Sequence, residues 1–372
     1  MQYVALFVLS CLIGVLLVPL VKRLAFRLGA VDNPDIPRKI HKTPIPLLGG
    51  LAIYASFTVS LIVYVFVLHP DYHIVPLKFF LGIIFGGLVL MVGGVLDDKF
   101  NLAPKYQIIP TAIAVLILIF SGVGVGITAI SNPFNSAHPI NLAFSILGIP
   151  FSAIFVFLFM LGMVYTTKFL DGMDGLAGGI SFIAGATLFF LSLTPKVNQS
   201  ITASMTIIFC GAVFAFLIFN FNPASIFLGE SGSTFVGFAL GAISIFLGGK
   251  IATAVLVMGI PIMDVAWVIV RRIWYGNSPF KADRKHLHFR LLDIGFSQKE
   301  TVLILYLIAA SFGIVAIFLQ SLGKLISLLI LLAIMIVLAI TTVLIYKKRY
   351  LVASGAAAQN SGNSESRDEL TK

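Results

Sequence analysis

Carboxylates are scarce in this chain, and several stand where apolar runs end. Only fifteen of the 372 residues are Asp or Glu. Asp97 and Asp98 are adjacent at the end of one such run. Asp171 and Asp174 lie three residues apart after another, and a glycine follows each. Because neighbouring carboxylates raise each other's proton affinity unless a cation is present, the pattern predicts a Mg²⁺ site with oxygen ligands, with Mn²⁺ as the alternative ion.

These acids also have a purely structural interpretation. Asp97 and Asp98 are placed to cap a helix end at a membrane surface. Glu230 stands between an asparagine-rich turn and an apolar run, where its charge would favour a helix N-terminus. A simple turn, in contrast, would not need both Asp171 and Asp174. The sequence leaves the capping interpretation open beside the metal site.

Two clusters of cationic residues accompany the acids: Arg38, Lys39 and His41 in one, and Arg284, His286 and His288 in the other. Such groups suit a site that holds phosphate. The ordinary positive charge of a cytoplasmic loop is the alternative for the first cluster. A zinc site at the two later histidines would need further ligands and less cationic surroundings, so contacts to a sugar diphosphate are the preferred interpretation.

The elements that position these residues are membrane helices. The chain is 59% hydrophobic and 11% charged, with a mean hydropathy of +1.05, which excludes a soluble globular domain. Eleven apolar runs are candidates to cross a bilayer: 3–21, 47–68, 79–96, 108–125, 149–167, 176–193, 201–219, 235–247, 251–270, 301–319 and 325–346. We therefore predict an all-α polytopic membrane protein with about eleven transmembrane helices.

The distribution of lysine and arginine predicts its orientation. If the N-terminus lies outside, 21 of the 25 basic residues fall on the cytoplasmic side, as the positive-inside rule requires. The C-terminus is then cytoplasmic, and the acidic and cationic loops share that side. The net charge of +10 thus reflects topology, and we expect no nucleic-acid partner. Residues 1–351 form the predicted membrane domain, and 352–372 a disordered cytoplasmic tail.

The order of the motifs resembles the polyprenyl-phosphate N-acetylhexosamine-1-phosphate transferase family over about residues 32–301. The motifs that carry the resemblance are Arg38-Lys39-x-His41 with Pro44-x-Pro46 and Gly49-Gly50, Asp97-Asp98, Asp171-Gly172-x-Asp174-Gly175, Asn220-x-x-Pro223 with Phe227-x-Gly229, and Asp283-Arg284-x-His286-x-His288. The last motif is similar to the branch that uses UDP-GlcNAc or a related UDP-HexNAc.

The resemblance implies an enzyme of the bacterial inner membrane whose active site faces the cytoplasm. It would transfer HexNAc-1-phosphate, with GlcNAc-1-phosphate favoured, from a UDP-N-acetylhexosamine to undecaprenyl phosphate and release UMP. That reaction is the first membrane step of cell-surface glycan synthesis. The polyprenyl phosphate and the UDP-sugar are then its partners, with a homodimer left open.

The resemblance also assigns roles to residues. Mg²⁺ would be held by Glu230 and Asp97. Asp98 would deprotonate or position the lipid phosphate, with Asp97 sharing its proton or the metal, and Asp171 completes the catalytic set. The uridine would be bound by Asp171, Asp174, Asn220 and Phe227. The phosphates and the sugar would be contacted by Arg38, Lys39, His41, Arg284, His286 and His288.

The chain departs from the family pattern at three positions. Lys168 stands where the family usually has asparagine, Glu230 where it has aspartate, and Phe289 where a second histidine follows. Three alternatives stay open: a phospho-enzyme instead of direct attack, UDP-MurNAc-pentapeptide as the donor, and a polytopic transporter. A transporter is disfavoured because its ionisable groups usually lie near the bilayer midplane, where the predicted spans have almost none.

Overall fold

The computed structural model describes residues 1–34, 43–68, 75–124, 127, 129–130, 132, 134–135, 138–246, 251–276, 286–319 and 322–345. Four of the expected substrate-binding residues lie outside these ranges: Arg38, Lys39, His41 and Arg284. The predicted tail 352–372 lies outside them as well.

Almost all regular structure in these ranges is α-helical. The helices are α1 Gln2–Leu28, α2 Gly49–Val67, α3 Leu77–Phe100, α4 Pro104–Phe120, α5 Phe151–Leu170, α6 Leu176–Leu193, α7 Ser200–Asn220, α8 Gly229–Ile245, α9 Ile251–Val257, α10 Gly259–Trp274, α11 Leu287–Asp293, α12 Gln298–Phe318 and α13 Leu322–Ile345. The strands are β1 Val31–Asp32, β2 Ile45–Pro46, β3 Ala129–Ile130, β4 Ile140–Asn141, β5 Ser145–Ile146 and β6 Ile149–Pro150. Consecutive strands pair antiparallel, β1 with β2, β3 with β4 and β5 with β6.

Each of the eleven predicted apolar runs overlaps a helix, or two helices for 251–270, and the all-α polytopic membrane class is confirmed. Of the described helices, eight are long and apolar enough to span a bilayer: α1, α2, α3, α5, α6, α7, α12 and α13. α4 and α8 are shorter, with 17 residues each. The count of eleven spans and the sides of the two termini stay predictions.

The run 251–270 is not one straight helix, and its crossing of the bilayer stays a prediction. It is divided into α9 and α10, which meet at an angle of 75°. The break falls just before Gly259-Ile260-Pro261, and a proline in the first turn of a helix marks a start, not an interior. The uniformly apolar composition of this run concealed the break.

Local sequence signals set the helix ends that reach the functional cavity. α1 ends at Gly29, whose φ of 71° is the left-handed conformation typical of a helix C-cap. α4 begins with Pro104, where the missing N–H costs no hydrogen bond. α12 begins with a capping box of Ser297 and Glu300. The α1–α2 and α3–α4 connections, helix α11 and the first residue of α12 all contribute residues to one cavity.

Helix α8 is the central element of the bundle. Sixteen of its 17 residues are buried, and Glu230 is the exception. It packs against α2, α3 and α5, and glycines allow the closest approach. A Cβ on Gly50 would lie 2.2 Å from the Cα of Gly232, and one on Gly94 would lie 2.2 Å from the Cα of Ser231. Backbones in direct contact therefore fix the start of α8 relative to α2 and α3.

Candidate active site

An acidic cavity of about 950 Å³ opens where the ends of α1, α3, α5, α7 and the start of α8 meet. Six carboxylates line it: Asp32, Asp97, Asp98, Asp171, Asp174 and Glu230. Two lysines, Lys99 and Lys168, also lie in its wall. All five acids assigned from the sequence to the site are thus gathered around one cavity, although they lie up to 133 positions apart in the chain.

Asp98 joins the end of α3 to the start of α8. Its Oδ1 accepts a hydrogen bond from the Glu230 backbone N–H at 2.7 Å, and its Oδ2 accepts one from Ser231 Oγ at 3.2 Å. Gly229 has a φ of 75°, and a Cβ there would lie 2.7 Å from Asp98 Oδ2. The carboxylate therefore caps the positive end of the α8 dipole from a neighbouring helix.

Asp97 has a different environment from its neighbour. Its Oδ1 accepts hydrogen bonds from the Leu102 backbone N–H at 2.8 Å and from Gln107 Nε2 at 3.0 Å. These contacts hold the turn between α3 and α4. The adjacent carboxylates thus diverge, one to the α3–α4 turn and the other to α8, so the capping interpretation applies to both without excluding a role in the cavity.

Lys168 in the last turn of α5 makes an ion pair with Glu230. Its Nζ lies 2.5 Å from Glu230 Oε1 and 2.7 Å from Gln107 Oε1. The two charged side chains are only 15% and 16% exposed, respectively. Because Gln107 also donates to Asp97, a continuous chain of contacts runs from Asp97 through Gln107 and Lys168 to Glu230.

Asp171 caps the C-terminus of α5 and has an unusual protonation equilibrium. Burial, together with the negative charges of Asp98, Glu230 and Asp174, raises the pKa of its carboxyl to about 8. A raised pKa favours the protonated form of the carboxyl. The negative charge of this wall is not fully balanced by the lysines.

The donor chemistry of the cavity fits a hard divalent cation. Carboxylate oxygens are the ligands that Mg²⁺ prefers, and six carboxylates line this cavity beside two lysines. Within the part of the chain that the structure describes, however, no three His, Cys, Asp or Glu side chains converge on a single point as they stand. The predicted ligands Glu230 and Asp97 line the cavity, and each already has a partner. The metal site stays a prediction.

Asp174 and Asn220 organise the turn that precedes α6. Asp174 Oδ2 accepts a hydrogen bond from Asn222 Nδ2 at 2.9 Å. Asn220 Oδ1 accepts one from the Gly175 N–H at 2.9 Å, and its Nδ2 donates to the Ile226 carbonyl at 2.9 Å. Both polar groups of Asn220 are therefore used within the protein. The structure gives these residues a positioning role, and their predicted contact with uridine is untested.

Phe227 connects the α7–α8 loop with the segment before α2. Its N–H donates to the Pro46 carbonyl at 2.8 Å, and its carbonyl accepts from the Gly49 N–H at 3.0 Å. Two motifs separated by almost 180 residues of sequence are thus joined by backbone hydrogen bonds, and Phe227 lines the cavity.

The two predicted histidines lie behind the cavity wall. Asp264 accepts hydrogen bonds from the Leu287 N–H and contacts His286 Nδ1, both at 2.8 Å. His288 is 2% exposed, stacks on His286, and approaches so closely that a Cβ on Gly172 would lie 2.6 Å from its Nε2. Burial lowers the pKa of His288 to about 4, so its ring is neutral. His288 therefore packs against the turn that carries Asp171, and its predicted contact with phosphate or sugar stays a prediction.

Sequence reasoning missed several residues that shape the site: Gln107, Ser231, Asn222 and Tyr306. Tyr306 donates its hydroxyl hydrogen to the Gly175 carbonyl, and its ring lies where a side chain on Gly179 would be. Gln107 and Tyr306 are single polar residues on helices, whereas Asn222 and Ser231 lie beside motif residues but had no role of their own. Asn222 lines the cavity, and tertiary packing brings the other three against residues of the site.

The sequence of this chain is similar to one protein family and to known proteins. Residues 80–248 match glycosyl transferase family 4. The chain is 30% identical over 338 residues to a probable undecaprenyl-phosphate N-acetylglucosaminyl 1-phosphate transferase of Bacillus subtilis strain 168, covering 89% of this chain and 88% of that protein. It is 30% identical over 310 residues to the decaprenyl-phosphate N-acetylglucosaminephosphotransferase of Mycobacterium tuberculosis H37Rv, with coverages of 77% and 75%.

A third relative is the undecaprenyl-phosphate alpha-N-acetylglucosaminyl 1-phosphate transferase of Escherichia coli K12. It is 28% identical over 313 residues, with coverages of 79% and 78%. The matched regions include the α3 acids, the α5–α6 turn and the start of α8. The chain therefore belongs to glycosyl transferase family 4 and is similar to members of its polyprenyl-phosphate N-acetylglucosamine-1-phosphate transferase branch.

Proposed function

We propose that this protein transfers GlcNAc-1-phosphate, or another HexNAc-1-phosphate, from a UDP-sugar to undecaprenyl phosphate and releases UMP. Family membership supports this kind of reaction. The observation that carries the proposal is the single cavity at the helix ends, whose six carboxylates suit a metal-assisted reaction of diphosphates. An insoluble lipid acceptor also requires a site on a membrane protein.

In the proposed reaction, an oxygen of the lipid phosphate forms a bond to the β-phosphorus of the donor. The bond from that phosphorus to the bridging oxygen breaks, and UMP leaves. Asp98 would accept a proton from the lipid phosphate or hold that phosphate in place, because its carboxylate is fixed at the start of α8. Bound by Glu230 and Asp97, Mg²⁺ would supply positive charge to the donor diphosphate.

The remaining residues of the cavity would bind and orient the donor. Asp174 and Asn220 hold the turn before α6 in shape, and Phe227 presents an aromatic side chain in the cavity wall. We assign the uridine to this part of the cavity. Burial and then the neighbouring carboxylates raise the pKa of Asp171, and positive charge entering the cavity would lower it.

A panel of donors tests this proposal directly. Purified protein with undecaprenyl phosphate and Mg²⁺ should release UMP from UDP-GlcNAc and form a lipid-linked product. UDP-GalNAc serves as the related donor, and UDP-MurNAc-pentapeptide as the donor of the peptidoglycan reaction. UMP release only with the pentapeptide donor would move the protein to that reaction. Binding of UDP-sugars without any UMP release would favour a transporter.

We also propose that the protein lies in the bacterial inner membrane with the cavity facing the cytoplasm. The support is the distribution of 21 basic residues on one side and 4 on the other in the predicted topology. A reporter fused after Lys348 should therefore be cytoplasmic, and one inserted near Asn135 should be outside. Labelling in the opposite sense would place the cavity on the outer face and would contradict a cytoplasmic nucleotide donor.

A further inference from the structure

Lys168 is a cation held inside the acidic wall of the cavity. An ammonium group has three hydrogen-bond donors. Two acceptors for them are in place, Glu230 Oε1 at 2.5 Å and Gln107 Oε1 at 2.7 Å. The low exposure of both charged side chains strengthens their attraction relative to a surface pair. Glu230 is thus already neutralised by a residue of the protein itself.

A divalent cation on Glu230 Oε1 is incompatible with this arrangement, because that oxygen already accepts from the Lys168 ammonium. Mg²⁺ binds oxygen ligands at about 2.0 to 2.1 Å and accepts only small deviations from octahedral geometry. An ammonium on the same oxygen would stand within a few ångströms of the metal, where two positive charges repel strongly in a partly buried site. One of the two cations must therefore leave Glu230 Oε1 when the other binds.

We propose that Lys168 is a resident counter-cation that competes with a divalent cation for Glu230, so that a metal binds there by displacing the Lys168 ammonium. This inference rests on the proposed metal requirement and deepens it. Gln107 would keep the displaced ammonium near the cavity through its Oε1, at 2.7 Å in this structure. The lysine would then be available to an anionic substrate at the same time as the metal.

Metal binding without substrate tests the proposal. Full-length protein in detergent is titrated with Mn²⁺, and free Mn²⁺ is measured by electron paramagnetic resonance. Lys168→Met should tighten Mn²⁺ binding by about tenfold or more, because it removes a charge-assisted partner of the ligand. Lys168→Gln, which keeps hydrogen-bonding capacity, should tighten it in the same direction and serves if the Met variant folds poorly.

Lys99 provides the matched control. It lines the same cavity, and its Nζ lies 5.1 Å from the centre of the Phe100 ring. Lys99→Met removes the same charge without touching the Lys168–Glu230 pair. We expect it to tighten Mn²⁺ binding by less than about threefold, since separated charges near solvent are screened. Equal effects of the two lysine variants would show a general charge effect and overturn the competition.

A double-mutant cycle locates the competition on Glu230. In a Glu230→Gln background, the added Lys168→Met change should alter Mn²⁺ affinity by less than about twofold. Tightening of similar size with and without Glu230 would overturn the proposal, and so would unchanged or weaker binding in both Lys168 variants. UMP release from UDP-GlcNAc is measured separately, so failure of the proposed reaction is distinguished from failure of this inference.

Discussion

Asp98→Asn should lower the rate of transfer by about 10²- to 10⁴-fold, the range that a general base contributes, while nucleotide binding is largely kept. Asparagine has nearly the same shape, and its amide oxygen can still accept from the Glu230 N–H. The Ser231 hydroxyl can accept from the new amide group in place of donating. The fold should therefore tolerate the change, and the loss should appear in kcat. Initial rates of UMP release and equilibrium UDP-GlcNAc binding measure the two effects.

Ser231→Ala is the matched control for this prediction. It removes one hydrogen bond to Asp98 and leaves the carboxylate and its contact with the start of α8. We expect a loss of less than about tenfold, the value of a single hydrogen bond. Near-normal turnover in Asp98→Asn would remove Asp98 from the reaction and leave it as a cap of α8 alone.

Glu230→Gln should lower metal-dependent transfer by more than about 100-fold, since loss of a direct ligand should exceed the effect of an outer-shell change. Glutamine has the same length but no charge, and Lys168 would lose its ionic partner. The measurement is the rate of UMP release as a function of Mg²⁺ and Mn²⁺ concentration. Thermal unfolding in detergent verifies that the variant is folded.

Glu230→Asp distinguishes the charge of this residue from its reach. Aspartate keeps the carboxylate but has one methylene fewer, so the carboxylate lies farther from Lys168. We expect partial activity and a shift towards Mn²⁺, which accepts a looser site than Mg²⁺. If Glu230→Gln instead keeps its activity with an unchanged metal requirement, Glu230 is only a charge at the start of α8, and a metal would have to bind on the Asp97 and Asp98 side.

Hydrophobicity located the membrane helices well because each run must exclude unsatisfied polar groups over its whole length. It could not locate the bend between α9 and α10, since an apolar residue suits both a straight helix and a broken one. Hydrophobicity also could not locate the start of α8. The apolar run begins at 235, but α8 begins at Gly229, because buried glycine and serine extend the helix into the cavity wall.

The acids of the site were identifiable because a carboxylate next to an apolar run is energetically costly unless it has a partner or a function. Their partners were not. Asp97 and Asp98 are equivalent in the sequence, and only packing directs one to Gln107 and the other to the start of α8. Lys168 and Glu230, 62 residues apart, both depart from the family pattern, but the sequence does not show that their side chains form one ion pair. Contacts between distant residues of different helices have no signature in local spacing.

The shortness of α8 has a consequence for how a lipid meets a water-soluble nucleotide. Its 17 residues span about 26 Å at 1.5 Å per residue, less than a hydrocarbon core of about 30 Å. Because α2, α3 and α5 surround it, the bilayer need not thin to match it. The cavity that Glu230 and Asp98 line lies at the start of this short helix. A lipid phosphate at headgroup depth could then react without its tail leaving the membrane.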